Sequence, residues 1–117
     1  MKDTREVGRL GEKLAENFLK QKNYEIIDKN FWCKFGEIDL VAVDEEYIVF
    51  IEVKTARNKK ILPKENITYQ KKERIIKVAN YYITRFKLEA NYRFDVITVQ
   101  LQKRTNQFNL IKNAFGI

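Results

Sequence analysis

Two acidic residues and a lysine near the middle of the chain have the types and spacing of a metal-dependent hydrolytic site. Asp39 lies in one apolar segment, and Glu52 and Lys54 lie in the next. Carboxylate oxygens suit Mg²⁺ or Mn²⁺ better than zinc, and the backbone carbonyl of Val53 is a further candidate ligand. A divalent ion held there could activate water and neutralise a scissile phosphate, while Lys54 stabilises developing charge or helps to deprotonate the water. These residues therefore predict hydrolysis of phosphodiester bonds.

A predicted β-hairpin brings these side chains together. Strands over 36–43 and 47–54 flank a turn centred on Glu45-Glu46, which pairs positions whose numbers sum to 91. This register sets Asp39 opposite Glu52. Two carboxylates directly opposite each other destabilise a sheet unless something compensates, and partly buried pairs of this kind hold a metal ion or share a proton.

The two faces of the predicted hairpin differ in character. Alternation along the strand places Ile38, Leu40 and Ala42 on one buried, apolar face. The other face is apolar near the turn and charged at its far end, where Glu37 opposes Lys54. A solvated charge cluster neutralised by Lys54 is the alternative to a metal site, because exposed ion pairs often have no function.

Composition limits the remaining chemistry. The 117 residues include no histidine and one cysteine, which excludes histidine-dependent catalysis, histidine-ligated zinc and an intramolecular disulfide. A reducing cytoplasm is the expected compartment, and no apolar run approaches the roughly 20 residues of a membrane helix. Lysine and arginine exceed aspartate and glutamate by 23 to 16, a net charge of +7. This charge is compatible with binding nucleic acid, with binding anionic lipid and with simple solubility.

Hydrophobic periodicity predicts one mixed α/β domain over residues 1–117, in the order α-β-β-β-α-β-β. Apart from the hairpin, the predicted elements are helices at 4–20 and 68–87 and strands at 24–31, 93–101 and 107–112. A flexible loop is expected at about 55–66, and residues 32–35 are a shorter loop. Asn23 and Thr68 are expected to end the first helix and to cap the second. The buried stripe of the second helix is predicted to comprise Ile75, Ile76, Ala79, Tyr82, Ile83 and Phe86.

Basic and aromatic residues flank the acidic segment. The basic residues, candidates for phosphate contacts, follow the second strand of the hairpin and extend onto the second helix: Arg57, Lys59, Lys60, Lys64, Lys71, Lys72 and Arg74. A solvated surface is the alternative for them. Trp32, with Phe31 and Phe35, could stack on an unpaired base, but packing in the core or at a dimer interface is favoured. For Asp95, an ion pair with Arg93 is favoured over catalysis.

The chemistry-bearing segments resemble a known bacterial family. Glu37-Ile38-Asp39 followed by Glu52-Val53-Lys54 is similar to the PD-(D/E)xK nuclease signature, with Ile38 in place of the usual proline. A wider set resembles the YraN-like family in order along the chain: Gly8-Arg9-Leu10-Gly11-Glu12, Gly36 to Val41, Phe50 to Thr55, Lys71, Arg93-Phe94-Asp95-Val96 and Ala114-Phe115. The resemblance implies a restriction-endonuclease-like core, a mixed central sheet flanked by helices, similar to archaeal Holliday-junction resolvases.

The resemblance also implies roles for individual residues. Asp39 and Glu52 would be metal ligands, Lys54 the catalytic lysine and Glu12 a further acidic ligand carried by the first helix. The implied activity is that of a Mg²⁺-dependent (or Mn²⁺-dependent) endonuclease on DNA, including branched or structured DNA, with a homodimer as one arrangement. An ordinary exposed helix carboxylate is the alternative for Glu12. The alternatives for the whole chain are a non-catalytic nucleic-acid-binding protein of the same fold and an interaction module.

Overall fold

The computed structural model describes residues 4–57 and 67–115. These form two helices and five strands in the predicted order α-β-β-β-α-β-β: α1 (Thr4–Gln21), β1 (Glu25–Cys33), β2 (Gly36–Asp44), β3 (Tyr47–Arg57), α2 (Tyr69–Arg85), β4 (Asn91–Leu101) and β5 (Gln107–Phe115). The prediction of a mixed α/β fold is confirmed. Neither helix in the described ranges is long and apolar enough to cross a membrane.

The five strands form one sheet in the order β1-β2-β3-β4-β5. Neighbouring strands are antiparallel except for β3 and β4, which are parallel. Parallel neighbours need a crossover connection, and α2 lies in the segment between β3 and β4. The sheet is therefore mixed, with its one parallel pair at the centre.

The two helices cover opposite faces of this sheet. The α1 side has a core in which Ala15 and Leu19 pack with residues of the central strands, among them Leu40, Ile51 and Ile97. On the other side, α2 packs against a second cluster: Val78 and Ala79 of the helix with Val41, Phe50 and Phe94 of the strands. Because both faces of the central strands are covered, these strands are apolar on both sides, and a charged side chain on them needs a specific partner.

Both predicted helix-end residues are confirmed. Asn23, which follows α1, has a φ of 70°, in the left-handed region that asparagine tolerates. The Thr68 side chain caps α2 by accepting a hydrogen bond from the backbone N–H of Lys71. This cap fixes the first turn of α2, from which Lys71 reaches the sheet.

Several element limits differ from the prediction. β1 includes Trp32 and Cys33, and β3 continues through residues 55–57, all of which were expected in loops. In β3 the extension is explained by pairing with β4, which runs to Arg57 opposite Leu101. Tertiary pairing thus lengthens a strand beyond its local pattern. Pro63 lies outside the described residues.

The prediction that Phe86 belongs to the buried stripe of α2 was wrong. The helix ends at Arg85 and Phe86 is 46% exposed, whereas Val78 is fully buried there. Of the two placements favoured for Trp32, packing in the core is contradicted, because 74% of its surface is exposed, and a dimer interface stays a prediction. The neighbouring Phe31 does pack, edge-on to the ring of Tyr82.

Candidate active site

The hairpin that carries the acidic residues has the predicted register. The pairs of β2 and β3 run from Asp44 opposite Tyr47 to Leu40 opposite Ile51, and every pair sums to 91. Pairing then stops, so the predicted backbone pairs Asp39–Glu52 and Glu37–Lys54 are not formed. Instead, the Asp39 Oδ2 accepts a hydrogen bond of 2.8 Å from the backbone N–H of Val53. Where the two strands separate, the Asp39 side chain therefore accepts a hydrogen bond of the kind that a backbone carbonyl accepts in a regular ladder.

The alternation of side chains also changes at this point. Leu40 and Ala42 pack on the α1 side, but Ile38 packs on the α2 side with Val41. The prediction that Ile38 shares a face with Leu40 and Ala42 was wrong. The adjacent strand is irregular at the same level, since Asn30 of β1 has a φ of 50°. Asp39 thus lies at a local break in the regular pleat.

Asp39 and Glu52 interact through their side chains in a mostly buried environment. Glu52 is 4% exposed. Burial, the neighbouring charge of Glu52 and a hydrogen bond with Glu52 together raise the pKa of Asp39 to about 9, against the opposing hydrogen bond from Val53. At neutral pH the Asp39 carboxyl therefore holds a proton, because a second ionised carboxyl beside Glu52 in a buried site is disfavoured. A cation placed between them would let that proton leave.

Two lysines neutralise Glu52. Lys71 Nζ is paired directly with Glu52 Oε2, and Lys54 Nζ lies 3.7 Å from the same oxygen. Burial and the neighbouring charge of Lys71 lower the pKa of Lys54. For Lys71, burial acts in the same direction, but the ion pair with Glu52 outweighs it and raises the pKa. Of the two, Lys54 releases its proton more readily.

Helix α1 brings Glu12 to the same region because Gly11 allows a close approach to β3. A Cβ atom on Gly11 would lie 1.8 Å from Oγ1 of Thr55, so only glycine fits this crossing. Of the small residues on α1, Gly11 and Ala15 are buried, whereas around Gly8 there is open space. Glu12 is half-buried, and its charge contributes to the raised pKa of Asp39.

Asn30 connects Glu12 to the hairpin. Its Nδ2 donates to Oε1 of Glu12 at 2.9 Å and to Oε1 of Glu37 at 3.2 Å. Lys29 and Phe31 pair with Leu40 and Ile38, which sets Asn30 opposite Asp39. Reasoning from the sequence missed Asn30. Predicting the pairing of β1 with β2 as well as that of the hairpin would have placed Asn30 opposite Asp39.

The donor set fits a hard divalent cation, although the described residues do not form a complete cage. No group of three histidine, cysteine, aspartate or glutamate side chains within 4–57 and 67–115 is spaced to hold a metal ion. Asp39 and Glu52 supply two oxygen-bearing groups whose mutual repulsion a cation would relieve. The roles of Glu12 and of the Val53 carbonyl as additional ligands remain predictions. Oxygen donors select Mg²⁺ or Mn²⁺ over softer metals.

The predicted phosphate-binding residues are dispersed. Lys71 lies in the site, whereas Lys72 lies with its Nζ 5.8 Å from the centre of the Phe115 ring. Arg57 is exposed at the end of β3, and Arg74 is exposed beside the start of β2, where its Cβ lies 3.9 Å from a Cβ built on Gly36. Lys59, Lys60 and Lys64 lie outside the described residues.

A second charged cluster lies at the opposite end of the sheet and holds strands together. Arg93 pairs with Asp44 at 2.5 Å and with Asp95 at 3.0 Å. Asp95 is fully buried and also accepts hydrogen bonds from the Tyr24 hydroxyl and the backbone N–H of Asn113. The preference for a structural ion pair at Asp95 is confirmed, and its partners leave it no free acceptor for catalysis.

Comparison with known proteins relates the chain to one family. The model of "Uncharacterised protein family UPF0102" matches residues 11–99. The UPF0102 protein of Caldicellulosiruptor saccharolyticus is 45% identical over 115 residues, which cover 95% of this chain and 98% of that protein. The UPF0102 protein of Clostridium kluyveri is 43% identical over 117 residues, with 97% and 96% covered. The UPF0102 protein of Syntrophus aciditrophicus is 40% identical over 112 residues, with 94% and 88% covered.

Proposed function

The chain belongs to the uncharacterised protein family UPF0102, and we propose that it is an endonuclease that hydrolyses phosphodiester bonds in DNA with a divalent metal ion. The observation that carries this proposal is the buried pair Asp39–Glu52, flanked by Lys54 and Lys71 at the point where β2 and β3 separate. A buried acid with a strongly raised pKa beside a second carboxyl group, with lysines next to both, suits a cation and a phosphate better than a structural role. Branched or structured DNA is the proposed substrate.

In this proposal Asp39 and Glu52 hold Mg²⁺ or Mn²⁺, with the Val53 carbonyl and Glu12 as further oxygen donors. The chemistry that such an ion supplies when bound is Lewis-acid neutralisation of the phosphate and acidification of water. Glu12 is kept in place by Asn30, and Asp39 is oriented by the Val53 N–H. Glu12 and Asp39 thus enter the reaction with fixed orientations, so their side chains need little movement to reach the reactive arrangement.

The lysines have different tasks. Lys54 has a lowered pKa, so it is better suited than Lys71 to exchange a proton with the attacking water. Lys71 retains its charge more firmly through Glu52 and is suited to bind a phosphate oxygen. Arg74, exposed beside β2, could contact the DNA backbone away from the scissile bond.

The test is a cleavage assay on linear, single-stranded and four-way-junction DNA with Mg²⁺ or Mn²⁺. Asp39→Asn should reduce the rate at least about 100-fold, since it removes a negative oxygen donor without changing size. Glu46→Gln is the matched control, because Glu46 is an exposed carboxylate in the turn of the same hairpin. Cleavage by Asp39→Asn at the rate of Glu46→Gln would assign the activity to a contaminant and refute the proposal.

A non-catalytic nucleic-acid-binding protein of the same fold is the second candidate. It is favoured by one observation: Lys71 and Lys54 both lie beside Glu52 and neutralise its charge. Such a protein would bind DNA with a steep dependence on salt and would cleave none of the three substrates at any Mg²⁺ or Mn²⁺ concentration.

A further inference from the structure

We propose that Trp32 is a stacking platform for an unpaired base of the nucleic acid that enters the candidate active site. This inference rests on the proposed function and names the part of the substrate that the site recognises. Trp32 is the one tryptophan of the chain, and with 74% of its surface exposed it is far from the usual burial of this residue type.

Trp32 lies beside the candidate site. It pairs across β1 and β2 with Glu37, and Glu37 is linked to Glu12 through Asn30. Neighbouring strands are about 4.8 Å apart and each residue advances a strand by about 3.3 Å. The Cα of Trp32 is therefore roughly 8 Å from that of Asp39, within reach of a nucleotide next to the scissile phosphate.

The indole is on the α1 side of the sheet. Phe31 and Cys33 pack into the cluster beneath α2, so alternation turns Trp32 to the opposite face. Asn30 reaches Glu12 of α1 on that same side, and both line a cleft with Arg9. A strand of DNA stacked on Trp32 would thus lie over Asn30 and Glu12 on the α1 side, with Arg9 available for a phosphate. It would reach Asp39 and Glu52 through the opening where β2 and β3 separate.

The surroundings of Trp32 favour a nucleotide over a protein partner. A stable protein interface needs a contiguous apolar centre within roughly 800 Å² per partner. Apart from Phe35, which is 37% exposed, the exposed residues near Trp32 are polar or charged: Asn30, Lys34 and Glu37. An exposed aromatic ring with cations within reach, here Lys34 and Arg9 of the adjoining cleft, can bind an unpaired base, since stacking supplies affinity and the cations contact phosphates.

Intrinsic fluorescence tests the proposal directly, because excitation at the red edge of the absorption band selects Trp32 over the six tyrosines of the chain. The protein is titrated in EDTA, where no cleavage occurs, with single-stranded oligothymidylate and with a blunt duplex of equal length. Labelled-DNA anisotropy measures the fraction bound. At equal occupancy, the single strand should quench Trp32 emission strongly and the duplex weakly. Bound single strand with unchanged emission would overturn the proposal.

Variants add a second readout. Trp32→Ala should weaken oligothymidylate binding about 5- to 100-fold, the equivalent of one stacked base, and change duplex binding no more than about twofold. Trp32→Phe should retain most of the affinity. Ile27→Ala is the matched control, since Ile27 is an apolar residue of the same strand and is 42% exposed. Equal loss in Ile27→Ala and Trp32→Ala would contradict the proposal.

Two further outcomes separate this inference from its alternatives. If Trp32→Ala dissociates a dimer in light scattering and leaves DNA affinity unchanged, the surface binds a second copy of the chain and the proposal is wrong. If Trp32→Ala cleaves DNA as fast as the wild type, this inference is overturned but the proposed nuclease activity is not. Stacking on Trp32 without cleavage in Mg²⁺ or Mn²⁺ would support it while refuting the proposed nuclease activity.

Discussion

At the scale of single residues, Asp39 shows how burial changes the chemistry of an acid. Its pKa of about 9 arises from burial and from the charge of Glu52, so without a divalent ion the carboxyl is protonated near neutral pH. The unfolded chain would release that proton, since the ordinary pKa is 3.8. The folded protein therefore binds more protons than the unfolded chain between about pH 4 and pH 9, and Asp39 lowers stability as pH rises through this range.

Asp39→Asn should therefore stabilise the protein in EDTA at neutral and alkaline pH. The amide carries no charge to bury and keeps an oxygen for the Val53 N–H. We expect a gain of about 1–3 kcal/mol at pH 8 that disappears near pH 4, measured by urea denaturation across the pH range. Glu46→Gln, in the exposed turn, should leave the profile of the wild type unchanged. A variant less stable than the wild type at pH 8 would show that Asp39 is ionised in the folded protein.

Lys71 and Lys72 are adjacent lysines with different environments, which makes them a matched pair. Lys71 neutralises the buried Glu52, whereas Lys72 lies beside the Phe115 ring. Lys71→Met should cost about 1–3 kcal/mol in EDTA, because a buried carboxylate loses its nearest cation. Lys72→Met should change the free energy of unfolding by less than about 0.5 kcal/mol. Equal effects in urea denaturation would mean that Lys71 does not compensate Glu52.

At the scale of elements, the crossing of α1 over β3 sets how closely Glu12 approaches the hairpin. Gly11 lets the helix approach Thr55, and one residue later Glu12 turns toward Asn30. The same helix contains Gly8, whose missing side chain would meet nothing within 4 Å. The two glycines are therefore equivalent in sequence pattern and different in structure.

Gly11→Ala and Gly8→Ala should have effects of opposite sign. At Gly11 the new methyl group collides with Thr55, so we expect a loss of about 2 kcal/mol or more. At Gly8 alanine improves helix propensity and should add about 0.5–1 kcal/mol. Thermal unfolding of both variants provides the measurement. Stabilisation by Gly11→Ala would place α1 farther from β3 than the structure has it.

Local patterns predicted the elements because helix and strand periodicities are strong in this chain. The hairpin register followed from the Glu45-Glu46 turn and holds as far as Leu40 opposite Ile51. The register fails at Asp39, whose side chain accepts a hydrogen bond from the Val53 N–H in place of regular backbone pairing. The prediction missed this because strand periodicity assumes an unbroken pleat. Lys71 was predicted to contact phosphate, but its pairing with Glu52 depends on how α2 packs on the sheet, and no local pattern contains that information.

At the scale of the whole molecule, the two ends of the sheet are built differently. At one end the pairing of β2 with β3 stops and acids face lysines. At the other, Arg93, Asp44 and Asp95 join β2 to β4, and Asp95 also binds Asn113 of β5. Stability should therefore depend strongly on the second end, and binding chemistry on the first.

Asp95→Asn tests this division. The buried amide cannot replace a carboxylate that accepts from Arg93, Tyr24 and Asn113, so we expect a loss of about 3 kcal/mol in urea denaturation. The proposed function predicts that Mg²⁺ raises the melting temperature of the wild type, and Asp95→Asn should show an equal rise. Glu89→Gln, an exposed residue before β4, is the control. A variant that loses the response to Mg²⁺ would show that the two ends are coupled.

The hydrogen bond from Val53 to Asp39 gives the protein a built-in spectroscopic reporter. A backbone amide in a regular ladder senses only its neighbouring carbonyl, but this amide senses a carboxyl whose proton depends on pH and on bound cations. Its resonance in a nitrogen–proton correlation spectrum should move when Asp39 ionises, while the amides of Val49 and Ile51 on the paired part of the strand stay in place. One peak would thus follow the charge of the site without any label or substrate.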